Sequence, residues 1–179
     1  MTDKKAQTRE RILDAASAAL ISRGLEQPSV NEIMSAAGLT VGGFYAHFDS
    51  KESLMLEAFD RLLKQRRSAM AQVDEQLPCH ERRALLAAFY LSRKHRDAKD
   101  EACPLPSTVG DMPRLPEGFQ ASLAEHVELM VAQLSSTPEE ADSVLADLAL
   151  MVGGLVLARA LGTGELSDRL LRAAKSAVV

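Results

Sequence analysis

The 179-residue chain is 46% apolar and 26% charged with a formal charge of −4, which admits a globular core and excludes a protein that is basic throughout. Two cysteines and a polar, charged start, MTDKKAQTRE, argue against a disulfide framework or an export signal, so a reducing cytoplasm is the expected setting. The longest uncharged apolar run, Leu148 to Ala158, would span about 17 Å as helix, too short for a bilayer, and no membrane role is expected.

No segment alternates like a strand; apolar residues recur at helical spacing between Gly and Pro punctuation. A first helix is expected from about Thr8 to Arg23, with Ile12, Ala16, Ala19 and Leu20 on one face and Gly24 as its stop. Ser29-Val-Asn-Glu32 is a capping box that opens a second helix, which ends at Gly38. Thr40 is placed to cap a short third helix through Phe48. Ser50 then caps a fourth, which carries Leu54, Phe59, Met70 and Val73, extends to about Gln76 and is closed by Pro78.

A fifth helix is expected over Glu81 to Lys94. The charged stretch 93–102 reads as solvated, and the proline-rich stretch 103–116 leaves room for at most a short sixth helix. The seventh carries the stripe Phe119, Leu123, His126, Val127, Met130 and Leu134. Thr137-Pro-Glu-Glu140 is a second capping box for an eighth helix reaching about Leu161, and a ninth covers Ser167 to Ala177. The expected fold is therefore all-α with about nine helices.

Charge is unevenly spread. Residues 1–67 hold 10 Lys and Arg against 9 Asp and Glu, and the remainder 11 against 16. The difference is small, and it leans towards an anionic partner at the N-terminal end. Ser29 to Phe48 has the size and Gly-containing turn of a helix-turn-helix, with Val30, Ile33, Ala37, Leu39, Phe44 and Phe48 as its buried set. Phe44 and Phe48 share one face, which sends Tyr45 and His47 elsewhere. Gly42 and Gly43 together cost about 2 kcal/mol of helix propensity. That cost is tolerable where bare backbone must approach a surface such as the DNA major groove. Tyr45, His47 and Lys51 can reach flanking phosphates, and the amides beside Lys51 suit an anion.

The segment TRERILDAASAALISRGLEQPSVNEIMSAAGLTVGGFYAHFDSKESLMLEAFDRLL (8–63), and within it AAGLTVGGFYAHFDSKESL, resembles the N-terminal DNA-binding domain of the TetR/AcrR transcriptional regulators. The resemblance implies a three-helix head over 1–50 and a ligand-binding, dimerising body over 51–179, with helix 51–76 as connector. It implies phosphate or base contacts for Thr40, Val41, Gly42, Gly43, Tyr45, His47 and Lys51, with Thr8 and Ser29 as phosphate neighbours at helix starts. Many members carry Arg, Lys or Ser where this chain has Val41-Gly42-Gly43, so guanine reading by Arg is not open to this helix. Contact of Val41 with a thymine methyl, hydrogen bonds from Thr40 and shape readout take its place. Lys4 and Lys5 either add phosphate contacts or merely solubilise the N-terminal arm.

For the body, Leu148, Met151, Val152, Leu155 and Val156 around Gly153-Gly154 form a broad apolar surface. Helices near 138–161 and 167–177 are accordingly the expected homodimer interface, matching a palindromic operator. A cavity for a small-molecule effector is expected to be lined by Phe89, Tyr90, Met112, His126, Met130 and Met151, with plain core packing as the alternative for each. Cys103, near the start of the sixth helix, is expected to have a lowered pKa; its position resembles that of a Cys in a subset of TetR-like regulators, which implies a response to an electrophile or oxidant, and an inert buried thiol is the alternative. Cys79, His80, His95 and Cys103 lack metal-site spacing, so neither a metal nor a cofactor is expected. The expected function is a ligand-released repressor. The rival is a thiol hydrolase using Cys103 and His126, which lacks any oxyanion or acid partner in the sequence.

Overall fold

The computed structural model describes residues 2–25, 28–71, 77–98 and 103–178. Their regular structure is entirely helical: α1 (Thr2–Arg23), α2 (Val30–Ala36), α3 (Lys51–Ala71), α4 (Cys79–Tyr90), α5 (Arg93–Asp97), α6 (Leu105–Thr108), α7 (Glu117–Leu134), α8 (Ala141–Ala160) and α9 (Glu165–Ala177). Three 3-10 turns, Val41–Ala46, Met112–Arg114 and Pro138–Glu140, complete the set. Residues 72–76, where the connector was expected to end, and 99–102 lie outside the described residues.

Helix α1 starts well before Thr8, because nothing in 2–7 breaks it. It stops at Gly24, whose φ of 79° favours glycine and whose Cβ would meet the Ser107 carbonyl oxygen at 3.0 Å. Helices α1 and α3 pack along one another. Arg9 forms a two-pronged pair with Glu57 at 2.6 and 2.5 Å, and Arg61 reaches Glu10 and Asp14. Ile12, Leu20, Ile33, Phe44, Phe48 and Phe59 fill the N-terminal core. That core continues without a break into the body through Leu105, Met112 and Phe119, so the apolar interior is shared across residue 50. Phe59 and Phe119 meet at 6.2 Å between ring centroids, and the Ser122 hydroxyl donates to Asp60, both contacts joining α3 to α7.

Three local expectations are corrected. The 93–102 stretch is not all solvated. Ser92 caps α5 by accepting from the His95 amide at 3.1 Å, and Arg96 is buried against Asp97, Asp168 and Ser167. Arg159 donates to the His95 and Arg96 carbonyls, which fixes α5 to α8. The fifth expected helix therefore ends at Tyr90 rather than Lys94. Thr137 makes no side-chain cap; the Glu140 carboxylate reaches back to the Ser136 amide at 2.6 Å, and Pro138–Glu140 tightens into a 3-10 turn before α8. Helix α9 begins at Glu165, with Gly164 ahead of it.

Helix α8 packs on α4, α5, α6, α7 and α9. By length and hydropathy alone Pro138–Ala160 would qualify as a membrane span, but Asp147 within it forms a buried pair with Arg83 at 3.3 Å.

Candidate nucleic-acid interface and body cavity

The first site is built from α2, the turn after it and the 3-10 turn Val41–Ala46. Ser29 caps α2 in a complete capping box: the Glu32 amide donates to Ser29 Oγ at 3.2 Å, and the Ser29 amide to Glu32 Oε2 at 2.8 Å. The Ser29 amide, the Ser29 hydroxyl and Arg23, the last at 2.6 Å, all donate to the Glu32 carboxylate and lower its pKa to about 2. Gly38, at φ 67°, ends the helix. Its amide bonds Ser35 and the Leu39 amide bonds Met34, both at 2.9 Å, forming a Schellman motif. Arg11 donates to the Ala37 carbonyl at 2.5 Å, satisfying an acceptor that the helix end leaves open.

The expected third helix is a 3-10 turn rather than an α-helix. The two glycines weaken α-helical propensity, and the 3-10 form suits a short piece whose base is held from outside. Phe44 is fully buried, stacks on Phe48 at 6.0 Å and meets Tyr45 edge-on at 5.2 Å. The Arg9 guanidinium sits 4.5 Å over the Phe48 ring, so α1 and α3 clamp the base of the turn. Thr40, Val41, Gly42 and Tyr45 face outward, Tyr45 at 73% exposure. A Cβ on Gly42 or Gly43 would meet nothing within 4 Å, and neither has positive φ. The fold itself therefore does not demand glycine at either position.

The remaining expected contacts sit differently. Ser29 is exposed at the α2 N-terminus, and Lys51 is half-buried at the start of α3, whose first turn is capped by Ser50 Oγ accepting from the Ser53 amide at 3.0 Å. Thr8 is not at a helix start; it lies inside α1, with its hydroxyl donating to the Lys4 carbonyl at 2.9 Å. His47 is half-buried beyond the turn, and its Nδ1 is buried without a hydrogen bond.

The second site is a cavity of about 620 Å³ between α3, α4, α6, α7 and α8, within the usual range of small-molecule sites. Phe89, Tyr90, Cys103, His126, Met130 and Met151 all line it. Met112 does not: it is buried in the shared core by its place on the turn after α6. Lining residues that sequence reasoning passed over include Arg66, Leu86, Val109, Leu148 and Val152. The Met70 stripe on α3 was a signal that its neighbours at i−4 also face inward.

The cavity's polar groups have defined states. Cys103 N–H donates to His95 Nε2 at 3.3 Å, so His95 Nδ1 carries the proton donated to the Tyr90 carbonyl at 2.9 Å. Burial lowers the His95 pKa despite that second bond. The Cys103 thiol is corrected from the sequence expectation: burial pushes its pKa up, because the thiol is covered by the core and α6 is a four-residue helix. The buried Tyr90 hydroxyl lies against the Cys103 thiol, and burial first, then Cys103, raises its pKa well above the usual value. His126 is occupied at Nδ1 by Arg67, at 2.8 Å, and among the described residues no hydrogen bond joins it to Cys103. The nucleophile–base pair that the hydrolase reading needs is not assembled.

A third surface is apolar and outward. Leu157, Leu161 and Leu166 on α8 and α9 are 57%, 50% and 61% exposed, and a Cβ on Gly153 would meet nothing within 4 Å. Gly154 instead faces inward, where a Cβ would press on Ala174 and Leu91 at 3.1 Å.

The profile of a family described as bacterial regulatory proteins, tetR family, matches residues 12–58. The HTH-type transcriptional repressor KstR2 of Rhodococcus jostii is 43% identical over 56 residues, 31% of this chain and 28% of that protein. The uncharacterized HTH-type transcriptional regulator YerO of Bacillus subtilis is 27% identical over 165 residues, 87% of this chain and 54% of that one. The chain thus spans about half, or less, of these relatives' length. Among solved structures, a TetR transcriptional regulator from Chloroflexus aurantiacus superposes with a TM-score of 0.75 at 26% identity, covering 98% of this chain and 94% of that one. The reduced form of E. coli NemR gives 0.79 at 17% identity over 95% and 96% of the two chains, a likeness of fold alone.

Proposed function

We propose that this chain, whose residues 12–58 match the tetR family of bacterial regulatory proteins, is a regulator of that family that binds operator DNA through the Val41–Ala46 turn and represses transcription until a small molecule enters its body. One observation carries the reading. Thr40, Val41, Gly42 and Tyr45 form an outward surface on a turn whose underside is locked by Phe44, Phe48 and Arg9, and its two glycines meet no neighbour. A rigid underside with bare backbone above suits close approach to a duplex, where recognition elements enter by their N-terminal residues. Ser29 and Lys51 flank it as phosphate contacts.

The exposed leucines of α8 and α9 around outward Gly153 support a homodimer through this face. Two-fold symmetry would present both turns to a palindrome. The cavity supports the effector role because α3, which starts beside the DNA-facing turn, also supplies Arg66 and Met70 to its wall. Differential binding of a ligand to two placements of α3 is all that release requires. Cys103 joins the cavity wall; an electrophile would meet its buried thiol from within the cavity, not as an oxidant from bulk solvent. A cytoplasmic setting follows for a protein acting on the chromosome.

The test is fluorescence anisotropy of the purified protein on duplex DNA from upstream of its own gene, against a scrambled duplex, across a salt series. Sequence-preferring binding that weakens with salt is expected. Equal affinity for both duplexes would overturn the reading.

A further inference from the structure

Resting on the cavity as effector site, the state of its wall narrows what it can hold. The polar side chains there are engaged with the protein itself. His95 Nδ1 donates to the Tyr90 carbonyl and Nε2 accepts from the Cys103 amide, while the Tyr90 hydroxyl lies against the Cys103 thiol. Arg66 also has a partner. Arg67 occupies His126 Nδ1, and that imidazole is neutral at pH 7.5 because its pKa is about 4. The greater part of the wall is hydrocarbon and thioether, with Met70, Leu86, Met130, Leu148 and Val152 among its members. A charged group brought between these side chains would lose its water without gaining a counter-charge from them.

The same wall continues to the surface. Leu85 and Phe89, one turn apart on α4, and Leu145 on α8 line the cavity and are each roughly half-exposed. Helices α4 and α8 pack on each other, so these three side chains border an opening between them. The Phe89 ring lies over the buried His95 ring, at 5.5 Å between centroids, and stands on the rim. A single exposed leucine is ordinary on a protein surface; Leu129 on α7 is one, exposed to the same degree as Leu145 and apart from the cavity wall. Three large apolar residues around one opening instead make a continuous apolar route from water to the interior.

We infer that the cavity takes an uncharged, largely apolar molecule, which enters between α4 and α8 past Leu85, Phe89 and Leu145 and lies among the methionine and leucine side chains behind them. An acid or an amine of the same skeleton must either hold its charged head at the opening, leaving apolar surface in water, or desolvate that head; both cost affinity.

The experiment titrates the full-length protein at pH 7.5 with two dyes that share a ring system and brighten on leaving water: uncharged N-phenylnaphthylamine and anionic anilinonaphthalene sulfonate. The uncharged dye is expected to bind about ten-fold or more tightly than the sulfonate, and decanol to displace it at about ten-fold lower concentration than decanoate or decylamine. Leu145→Glu puts a carboxylate at the opening and should weaken the uncharged dye about ten-fold and slow its entry. Leu145→Met should match the parent, and Leu129→Glu, an equally exposed change away from the wall, should leave binding as it was; a thermal melt of each variant shows that it is folded. No binding of the uncharged dye, equal affinity for the two dyes, displacement by decanoate or decylamine as effective as by decanol, or equal effects of Leu145→Glu and Leu129→Glu would each overturn the inference. Duplex binding is followed on the same samples. Dye taken up without release of DNA would uphold this ligand chemistry and remove the effector role, whereas protein that binds duplex and takes up no dye refutes the chemistry and leaves the regulator reading in place.

Discussion

Arg67 Nη1 donates to His126 Nδ1 across 2.8 Å and so ties α3 to α7 inside the body. The bond needs a neutral imidazole, and burial, with Arg67 second, holds the His126 pKa down at about 4. The unfolded chain, with an ordinary histidine near 6.5, binds the proton more readily between these values, so stability rises with pH across that window. Full stability is present above about pH 6.5 and is lost as pH falls towards 4, by an amount on the order of 2 kcal/mol for this residue. His95, also lowered by burial, adds in the same direction. Urea unfolding at pH 7 and pH 5 should show the loss, and His126→Gln should flatten it.

Gly42 and Gly43 separate stability from function. Neither has positive φ and each would present a Cβ to open space. Gly42→Ala and Gly43→Ala are therefore expected to leave the protein as stable or up to about 1 kcal/mol more stable, chiefly by restricting the unfolded chain. The same methyl would stand between backbone and duplex. A melt that rises while operator affinity falls is the expected pair of results; affinity unchanged in both variants would remove the reason given for the glycines.

Tyr45 and Lys51 test the contacts themselves. Tyr45 is largely exposed, so Tyr45→Ala should cost little folding stability and weaken operator binding. Lys51→Ala, if it removes one phosphate contact, should lower the slope of log affinity against log salt by about 1 and act similarly on every duplex sequence. Anisotropy at four salt concentrations distinguishes the two behaviours.

What the sequence shows of this molecule is what short range decides. Ser29 and Glu32 are three residues apart and close a capping box by themselves, and Gly24 and Gly38 stop helices where left-handed backbone is needed. The Phe44 and Phe48 pair is legible because the Phe48 amide bonds the Phe44 carbonyl at 3.1 Å, an α-type link that brings i and i+4 onto one face just past the turn. The 3-10 form was not, since the choice between turns depends on α1 and α3 gripping its base through Arg9. Arg96 looked solvated because its partner Asp168 lies on α9, far along the chain. Cys103 looked activated for the same reason: its burial comes from the core that α1, α3 and α7 share with it, and no local motif reports that.

Arg83 and Asp147 make a long-range pair whose value can be measured. Both side chains are buried, at 7% and 9% exposure, and meet at 3.3 Å between α4 and α8. Removing one partner leaves a buried charge, so Arg83→Met or Asp147→Leu alone should cost about 3–5 kcal/mol. The double replacement should recover most of that loss, since an apolar pair of similar volume needs no desolvation of charge. Chemical denaturation of the four proteins gives the cycle; additive losses would mean that the pair is not coupled.

Leu157 on α8 and Leu166 on α9 decide whether the outward apolar face joins two copies. Both are more than half exposed in the single chain, so Leu157→Glu with Leu166→Glu should change the stability of one subunit by no more than about 0.5 kcal/mol per site. In a two-fold interface each residue occurs twice, and four buried carboxylates near the axis would oppose association. Light scattering should then report a dimer for the parent protein and a monomer for the variant. A palindromic duplex binds a preformed dimer through two linked turns, and its effective concentration advantage disappears with the dimer. The variant should consequently lose most of its affinity for a full palindrome while keeping that for a half-site; a variant that stays dimeric would place the interface elsewhere on the body.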